Sequence, residues 1–266
     1  MNEPRANQLL TLNELTSIAD RDGVGLAAVE RDYVMSHVIS SLAEQPIADA
    51  LEFKGGTSLR LCHFLDYRYS ADIDMNLTNG LTRVVALQRI ENAVANAQER
   101  LSMPLLTMSP DEQSISFTGP RRQQLPDRIK LDLSTNELTG GVVGRVPILQ
   151  RYRDQQPSLG IPTYSLVETV AEKFRCVIQR LQCRDLYDLH RLLCDEDTNP
   201  RDGWARFEDK AAHKGINPQL FWDRLEKRIG QYRTRWENEM PGYVQDYPEF
   251  SKLVRELHRT LRAIDN

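Results

Sequence analysis

The segment Asp72–Leu77 alternates polar and apolar residues and reads Asp-Ile-Asp-Met-Asn-Leu. Such alternation is typical of a β-strand with one buried and one polar face, because successive side chains point to opposite sides of a sheet. Asp72 and Asp74 therefore lie on the same face of the predicted strand. Since neighbouring carboxylates repel each other, we expect this face to bind a cation.

A second alternating segment, Ile129–Leu133, places Lys130 and Asp132 on one face of another predicted strand. Carboxylate oxygens are hard ligands that suit Mg²⁺ or Mn²⁺, and three of them can hold two metal ions about 4 Å apart. Taken singly, each pattern is more typical of a solvated strand edge or turn. Their occurrence together predicts a metal site of Asp72, Asp74 and Asp132, with Asp132 helping to deprotonate an attacking hydroxyl.

A glycine pair separates a predicted strand, Ala48–Phe53, from a predicted amphipathic helix, Thr57–Tyr67. Glycines let the backbone N–H groups at the start of a helix approach a phosphate. A glycine pair alone is more typical of a structural turn. Its position one helix before Asp72 favours binding of a nucleotide triphosphate, by the turn residues Lys54, Gly55, Gly56, Thr57 and Ser58.

Apolar spacing divides the chain near residue 155. Before that point, helices are predicted at 11–20, 24–45 and 82–101, and further strands at 114–118 and 128–133. Strand patterns end after Leu149. A capping box at Ser165 and Glu168 opens a helix that runs to Gln182, followed by helices at 184–195, 203–213, 217–237 and 249–264. The predicted class is α+β: a domain of residues 1–155 with a mixed sheet and flanking helices, then a helical bundle of residues 156–266.

Charge and hydropathy narrow the possible partners. The net charge of −4 and the pI of about 5.8 argue against indiscriminate binding of nucleic acid. No stretch approaches the roughly 18 apolar residues of a membrane span, so we expect a cytoplasmic protein without a membrane contact. A local basic groove for RNA phosphates remains compatible with this charge, and an exposed loop is the alternative interpretation. Its candidates are Arg121, Arg122, Arg128, Arg145, Arg151 and Arg153.

Several motifs together resemble the AbiEii/AbiGii toxin family, a branch of the DNA polymerase beta-like nucleotidyltransferase superfamily. They are Glu30–Val34, Phe53–Leu59, Arg68–Asp74, Lys130–Asp132, Glu168–Phe174 and Arg184–Leu189. The resemblance covers residues 28 to 194. It implies a polymerase-beta-like N-terminal domain and a nucleotide pocket lined by Lys173, on the triphosphate oxygens, and Asp188. It also places Ser70, Lys130 and Asp185 among the nucleotide-binding residues. Without it, Glu168, Glu172 and Arg175 would be interpreted as a solvated helix face.

The resemblance also implies a function. We expect a monomeric toxin of a toxin–antitoxin system, restrained by a cognate antitoxin, that transfers a nucleoside monophosphate from an NTP to the 3′ end of tRNA. Such transfer would block aminoacylation and translation. Two alternatives remain open: transfer to a protein or a small molecule, and a non-catalytic regulator that binds nucleotide.

Overall fold

The structure of the chain is a computed structural model that describes residues 9–121, 126–138 and 140–265. These residues form two compact units. The first contains the residues up to Asn136 together with Val143–Thr163, and the second contains Glu137–Val142 together with the residues from Tyr164 onward. In the part of the chain described, no helix combines the length and the apolar character needed to cross a bilayer.

The first unit is built on a mixed seven-stranded sheet, as the predicted α+β class requires. Its helices are α1 (Leu12–Asp22), α2 (Leu26–Ala43), α3 (Gly55–Ser58) and α4 (Arg83–Arg100). Its strands are β1 (Leu51–Lys54), β2 (Asp72–Leu77), β3 (Thr107–Ser109), β4 (Ser114–Phe117), β5 (Asp127–Ser134), β6 (Val142–Val146) and β7 (Ile161–Tyr164). The strand order is β3-β4-β5-β2-β1-β7-β6.

The centre of the sheet carries the predicted site strands. β2 pairs antiparallel with β1 and parallel with β5, while β1 pairs parallel with β7. The buried face is apolar: Ile73 and Met75 on β2 and Leu131 on β5 are at most 2% exposed. α2 contacts both α4 and β5, and its apolar residues such as Val34 are fully buried. Burial of one face leaves the polar residues of β2 and β5 together on the other.

Several predicted element boundaries differ from the structure. The helix after the glycine pair begins at Gly55 and, after a π-helical turn at Leu59–His63, ends at His63 rather than Tyr67. Strand patterns are predicted to end after Leu149, whereas β6 ends at Val146. Strands also do not stop at Leu149, because β7 pairs with β1 through Thr163 and Phe53. The first unit therefore continues past the predicted boundary at residue 155.

The second unit is helical. Its helices are α5 (Leu166–Gln179), α6 (Cys183–His190), α7 (Pro200–Lys214), α8 (Leu220–Glu239) and α9 (Phe250–Asp265), with a π-helical turn at Arg191–Asp195 after α6. α5 packs against α6, α7 and α8, and Phe174, Phe207 and Phe221 form edge-on or tilted aromatic contacts between them. α5 ends at Gln179, three residues before the predicted end, because Arg180 has an extended backbone.

Candidate active site

Three predicted site residues form a row across the central strands. Lys54 on β1 is the register partner of Asp74 on β2, and Asp74 is the register partner of Asp132 on β5. Register partners on adjacent strands point to the same face of a sheet, with the strands about 4.8 Å apart. The ammonium group and the two carboxylates therefore belong to one polar face.

A second row lies two residues earlier on the same strands. Asp72 is the register partner of Lys130. Asp72 and Asp74 are partly exposed, Lys130 and Asp132 are exposed, and Lys54 is 9% exposed. The face thus combines three carboxylates with two ammonium groups, which reduces the repulsion between the carboxylates.

The glycine turn approaches this row closely. Gly55 has φ +78°, a backbone conformation in the left-handed region that favours glycine. A Cβ atom added to Gly55 would lie 2.2 Å from Asp74 Oδ2, which is shorter than any real contact. The backbone of the turn is therefore packed directly on the Asp74 carboxylate, and a side chain at position 55 would require this carboxylate to move.

Hydroxyl groups after the glycines fasten the turn. The Thr57 hydroxyl donates a hydrogen bond to the backbone carbonyl of Asp72, and the Ser58 hydroxyl donates to the Gly55 carbonyl at 2.9 Å. Ser70, which precedes β2, is 7% exposed. These contacts join the start of α3 to the start of β2. Direct nucleotide binding by Thr57, Ser58 and Ser70 stays a prediction.

The donor set suits a hard divalent cation. Asp72, Asp74 and Asp132 offer only carboxylate oxygens, and Asp74 lies directly against the glycine turn. Among residues 9–121, 126–138 and 140–265, however, no three His, Cys, Asp or Glu side chains converge into a metal-binding group. The sheet brings the three acids to one face, and they would need to reorient to share a cation.

The predicted residues of α5 and α6 form a buried ion cluster within the second unit. Lys173 Nζ lies 2.9 Å from Asp185 Oδ1 and 2.6 Å from Asp188 Oδ2, and all three side chains are at most 5% exposed. Arg180 donates two further hydrogen bonds to Asp185, at 2.7 and 2.9 Å. Burial alone would raise the pKa of Asp185, but the charge of Lys173 and the hydrogen bonds and charge of Arg180 outweigh it and lower this pKa. The Asp185 carboxylate is thus held between Lys173 and Arg180, and nucleotide binding by Lys173, Asp185 and Asp188 stays a prediction.

The carboxylates expected on a solvated face of α5 are also engaged. The Glu168 side chain is 1% exposed, and its oxygens contact Arg206 and, at 2.5 Å, Lys210. Lys210 also lies 2.8 Å from Glu172, which pairs with Arg175 at 2.5 Å.

Ser165 caps α5 by accepting from the Glu168 backbone N–H, so half of the predicted capping box is present. The Glu168 carboxylate serves the α5–α7 contact instead, which the one-dimensional pattern did not indicate.

The proposed RNA-binding arginines contact the protein itself. Arg122 lies outside the described residues. Each of the others has a defined partner: Arg121 pairs with Glu30, Arg128 with Glu112, Arg145 with Asp49 and Arg153 with Glu14, while Arg151 donates to the carbonyls of Arg60 and Phe64. These guanidinium groups neutralise carboxylates or satisfy carbonyls of the protein, and their binding of RNA phosphates stays a prediction.

The mixed sheet, the paired acidic strands and the adjoining glycine turn accompany a match to a nucleotidyltransferase toxin family. The model of the family "Nucleotidyl transferase AbiEii toxin, Type IV TA system" matches residues 37–260. The chain belongs to this family, which implies an NTP substrate and a cognate antitoxin. The match continues well beyond residue 194, where the resemblance in the sequence motifs ended.

A solved structure supports the fold independently. MenT4, a nucleotidyltransferase toxin from Mycobacterium tuberculosis H37Rv, is similar with a TM-score of 0.62 over 97% of this chain and 90% of that chain, at 17% sequence identity. Comparison of the sequence with curated proteins gives no match. The fold is thus shared with this toxin despite low sequence identity.

Proposed function

We propose that the chain transfers a nucleoside monophosphate from an NTP to the 3′-terminal hydroxyl of tRNA and releases pyrophosphate. The observation that carries this proposal is the row Lys54–Asp74–Asp132 with the glycine turn packed against it. Family membership supports the nucleotidyl chemistry. The tRNA acceptor follows from the motif resemblance, and growth inhibition follows from the loss of aminoacylatable 3′ ends.

In this proposal the residues have separate tasks. The turn and Lys54 bind the triphosphate, while Lys130 adds positive charge on the same face. The acceptor hydroxyl attacks the α-phosphorus, the bond from the α-phosphorus to the bridging oxygen of the β-phosphate breaks, and pyrophosphate leaves. Asp132, exposed at the edge of the row, accepts the hydroxyl proton. Nucleotide and acceptor are thereby held over one polar face.

Asp72, Asp74 and Asp132 are the residues that would hold a divalent cation, Mg²⁺ or Mn²⁺. When bound, such a cation neutralises triphosphate charge and lowers the cost of placing phosphates beside carboxylates. Without it, the three carboxylates would repel the substrate. We expect transfer to require added Mg²⁺ or Mn²⁺ and to stop with EDTA.

The test is incubation of the purified chain with Mg²⁺, each α-labelled NTP in turn and total tRNA, followed by a denaturing gel. Periodate-oxidised tRNA, which lacks the 3′ diol, is the matched acceptor control. The Asp74→Asn, Asp132→Asn variant is the matched enzyme control. We expect label in intact tRNA with at least one NTP, and none with oxidised tRNA or with the variant.

Other outcomes would overturn particular parts of the proposal. Label in protein or in a small molecule, with none in tRNA, would replace the acceptor. Growth inhibition that persists in the Asp72→Ala, Asp74→Ala variant would identify a non-catalytic regulator. Equal labelling of intact and oxidised tRNA would exclude the 3′ end as the acceptor.

A further inference from the structure

Arg68 contacts the glycine turn at Gly56. Its side chain is 1% exposed, and Nη1 donates a hydrogen bond to the Tyr69 carbonyl at 3.0 Å. A Cβ atom added to Gly56 would lie 2.5 Å from Arg68 Nη2 and 3.0 Å from its Cζ. The guanidinium group is therefore packed closely against Gly56.

The two glycines consequently face opposite charges. Gly55 packs on the Asp74 carboxylate, since a Cβ atom at this position would lie 2.2 Å from Oδ2, and Gly56 packs on the Arg68 guanidinium. Successive glycines of the turn thus contact an anion and a cation. Neither glycine can gain a methyl group unless the Asp74 carboxylate or the Arg68 guanidinium moves, so the place of the turn is tied to both side chains.

We propose that Arg68 is a positioning residue for nucleotide binding, because its guanidinium holds Gly56 and thereby keeps Gly55 against Asp74. This inference rests on the proposed function, since it takes the turn and Asp74 as parts of the nucleotide site. Arginine suits the task better than lysine, because a planar, permanently charged group can lie flat on a glycine. A lysine would keep the charge and lose the plane.

The test compares Arg68→Lys and Gly56→Ala, each assayed for the Kd of an NTP, for its KM and for kcat. We expect each to raise the Kd and KM about tenfold, the size of one lost contact to a charged group, with kcat within about threefold. Arg60→Lys is the matched control, because Arg60 is also buried in the first unit, at 3% exposure, but pairs with Asp32 at 2.7 Å. It should lower the thermal midpoint and leave the Kd unchanged.

A double-mutant cycle removes the ambiguity between positioning and folding. In an Arg68→Ala background the methyl group of Gly56→Ala has space, so Gly56→Ala should raise the Kd far less there than in the wild type. If Arg68→Ala does not fold, the same cycle uses Arg68→Lys. If the effects of the two substitutions on the Kd are additive, the inference that Arg68 acts through Gly56 is overturned. Wild-type Kd and KM in both Arg68→Lys and Gly56→Ala would overturn the inference alone, whereas a wild-type chain that binds no NTP would overturn the proposed function as well.

Discussion

Asp74 on β2 and Asp132 on β5 are register partners in a parallel strand pair, so two carboxylates from distant parts of the chain stand side by side on one face. Lys54 extends this row on the antiparallel side. Side-by-side carboxylates weaken a fold unless they bind something positive. We therefore expect substitutions in this row to affect nucleotide transfer more than stability, and substitutions at buried ion pairs to affect stability.

Asp132→Asn should abolish transfer without unfolding the chain. Even loss of an outer partner of a metal site costs roughly 10–100-fold, so loss of a ligand should lower kcat by at least about 100-fold. The free energy of unfolding should change by less than about 0.5 kcal/mol, because Asp132 is exposed and the change removes a like-charge pair. Rate assays and urea unfolding measure the two quantities. Asp111→Asn, on an exposed turn, is the control, and normal turnover in Asp132→Asn would remove this residue from the site.

Gly55→Ala should cost more than Gly80→Ala. Both glycines have left-handed φ angles, +78° and +72°, so both substitutions carry similar backbone strain of about 1–2 kcal/mol. A Cβ atom at Gly80 meets nothing within 4 Å, whereas at Gly55 it meets Asp74. We expect Gly80→Ala to keep full transfer activity and Gly55→Ala to lose it. Equal activity in the two variants would contradict the packing of the turn on Asp74.

Arg121→Ala should destabilise the first unit. Arg121 Nε lies 2.5 Å from Glu30, whose side chain is 1% exposed, so the substitution leaves a buried carboxylate without this partner. Breaking such a pair costs about 3–5 kcal/mol. Arg128→Ala is the control, because Arg128 is 62% exposed and pairs with an exposed Glu112, which is worth at most about 1 kcal/mol. Urea unfolding of both variants gives the comparison, and equal midpoints would contradict the structural role of Arg121.

Lys173→Met should weaken the second unit first. The motif resemblance places Lys173 on the triphosphate oxygens, but removal of Lys173 leaves Asp185 and Asp188 buried beside each other. We expect a loss of about 3–5 kcal/mol in the free energy of unfolding. Lys227→Met, which breaks an exposed pair with Asp223, should cost about 0.3–0.5 kcal/mol. A Lys173→Met variant of wild-type stability with weakened NTP binding would restore the original expectation.

Acid should destabilise the chain through Asp185. Its pKa is lower in the folded state than in the unfolded chain, where an aspartate has a pKa of about 3.9. The unfolded state therefore binds more protons below that value, and the contribution of Asp185 is complete above about pH 5 and declines as the pH falls. Urea midpoints between pH 2.5 and 6 should fall more steeply in the wild type than in Asp185→Asn. Parallel curves would show that another group controls acid unfolding.

Alternation along the chain determined much of the candidate site. The period of two in Asp72–Leu77 and in Ile129–Leu133 predicts strands with one acidic face, and both strands are present as β2 and β5. Helical spacing likewise predicts α2, α4 and the helices of the second unit. These predictions succeed because a local period decides which side chains share a face.

The tertiary structure alone decided which faces meet. The register that joins Lys54, Asp74 and Asp132 depends on hydrogen bonds between strands far apart in sequence, and no local pattern encodes it. The same holds for Arg68, whose role appears only where its guanidinium reaches Gly56. In the sequence, a charged residue such as Lys173 cannot be distinguished from a solvated one. Only the packing of the helices shows that it is buried in an ion cluster. The period of the sequence thus specifies which side chains share a face and what chemistry they offer. Long-range packing decides which of them are in contact, because contact energies depend on distance in space.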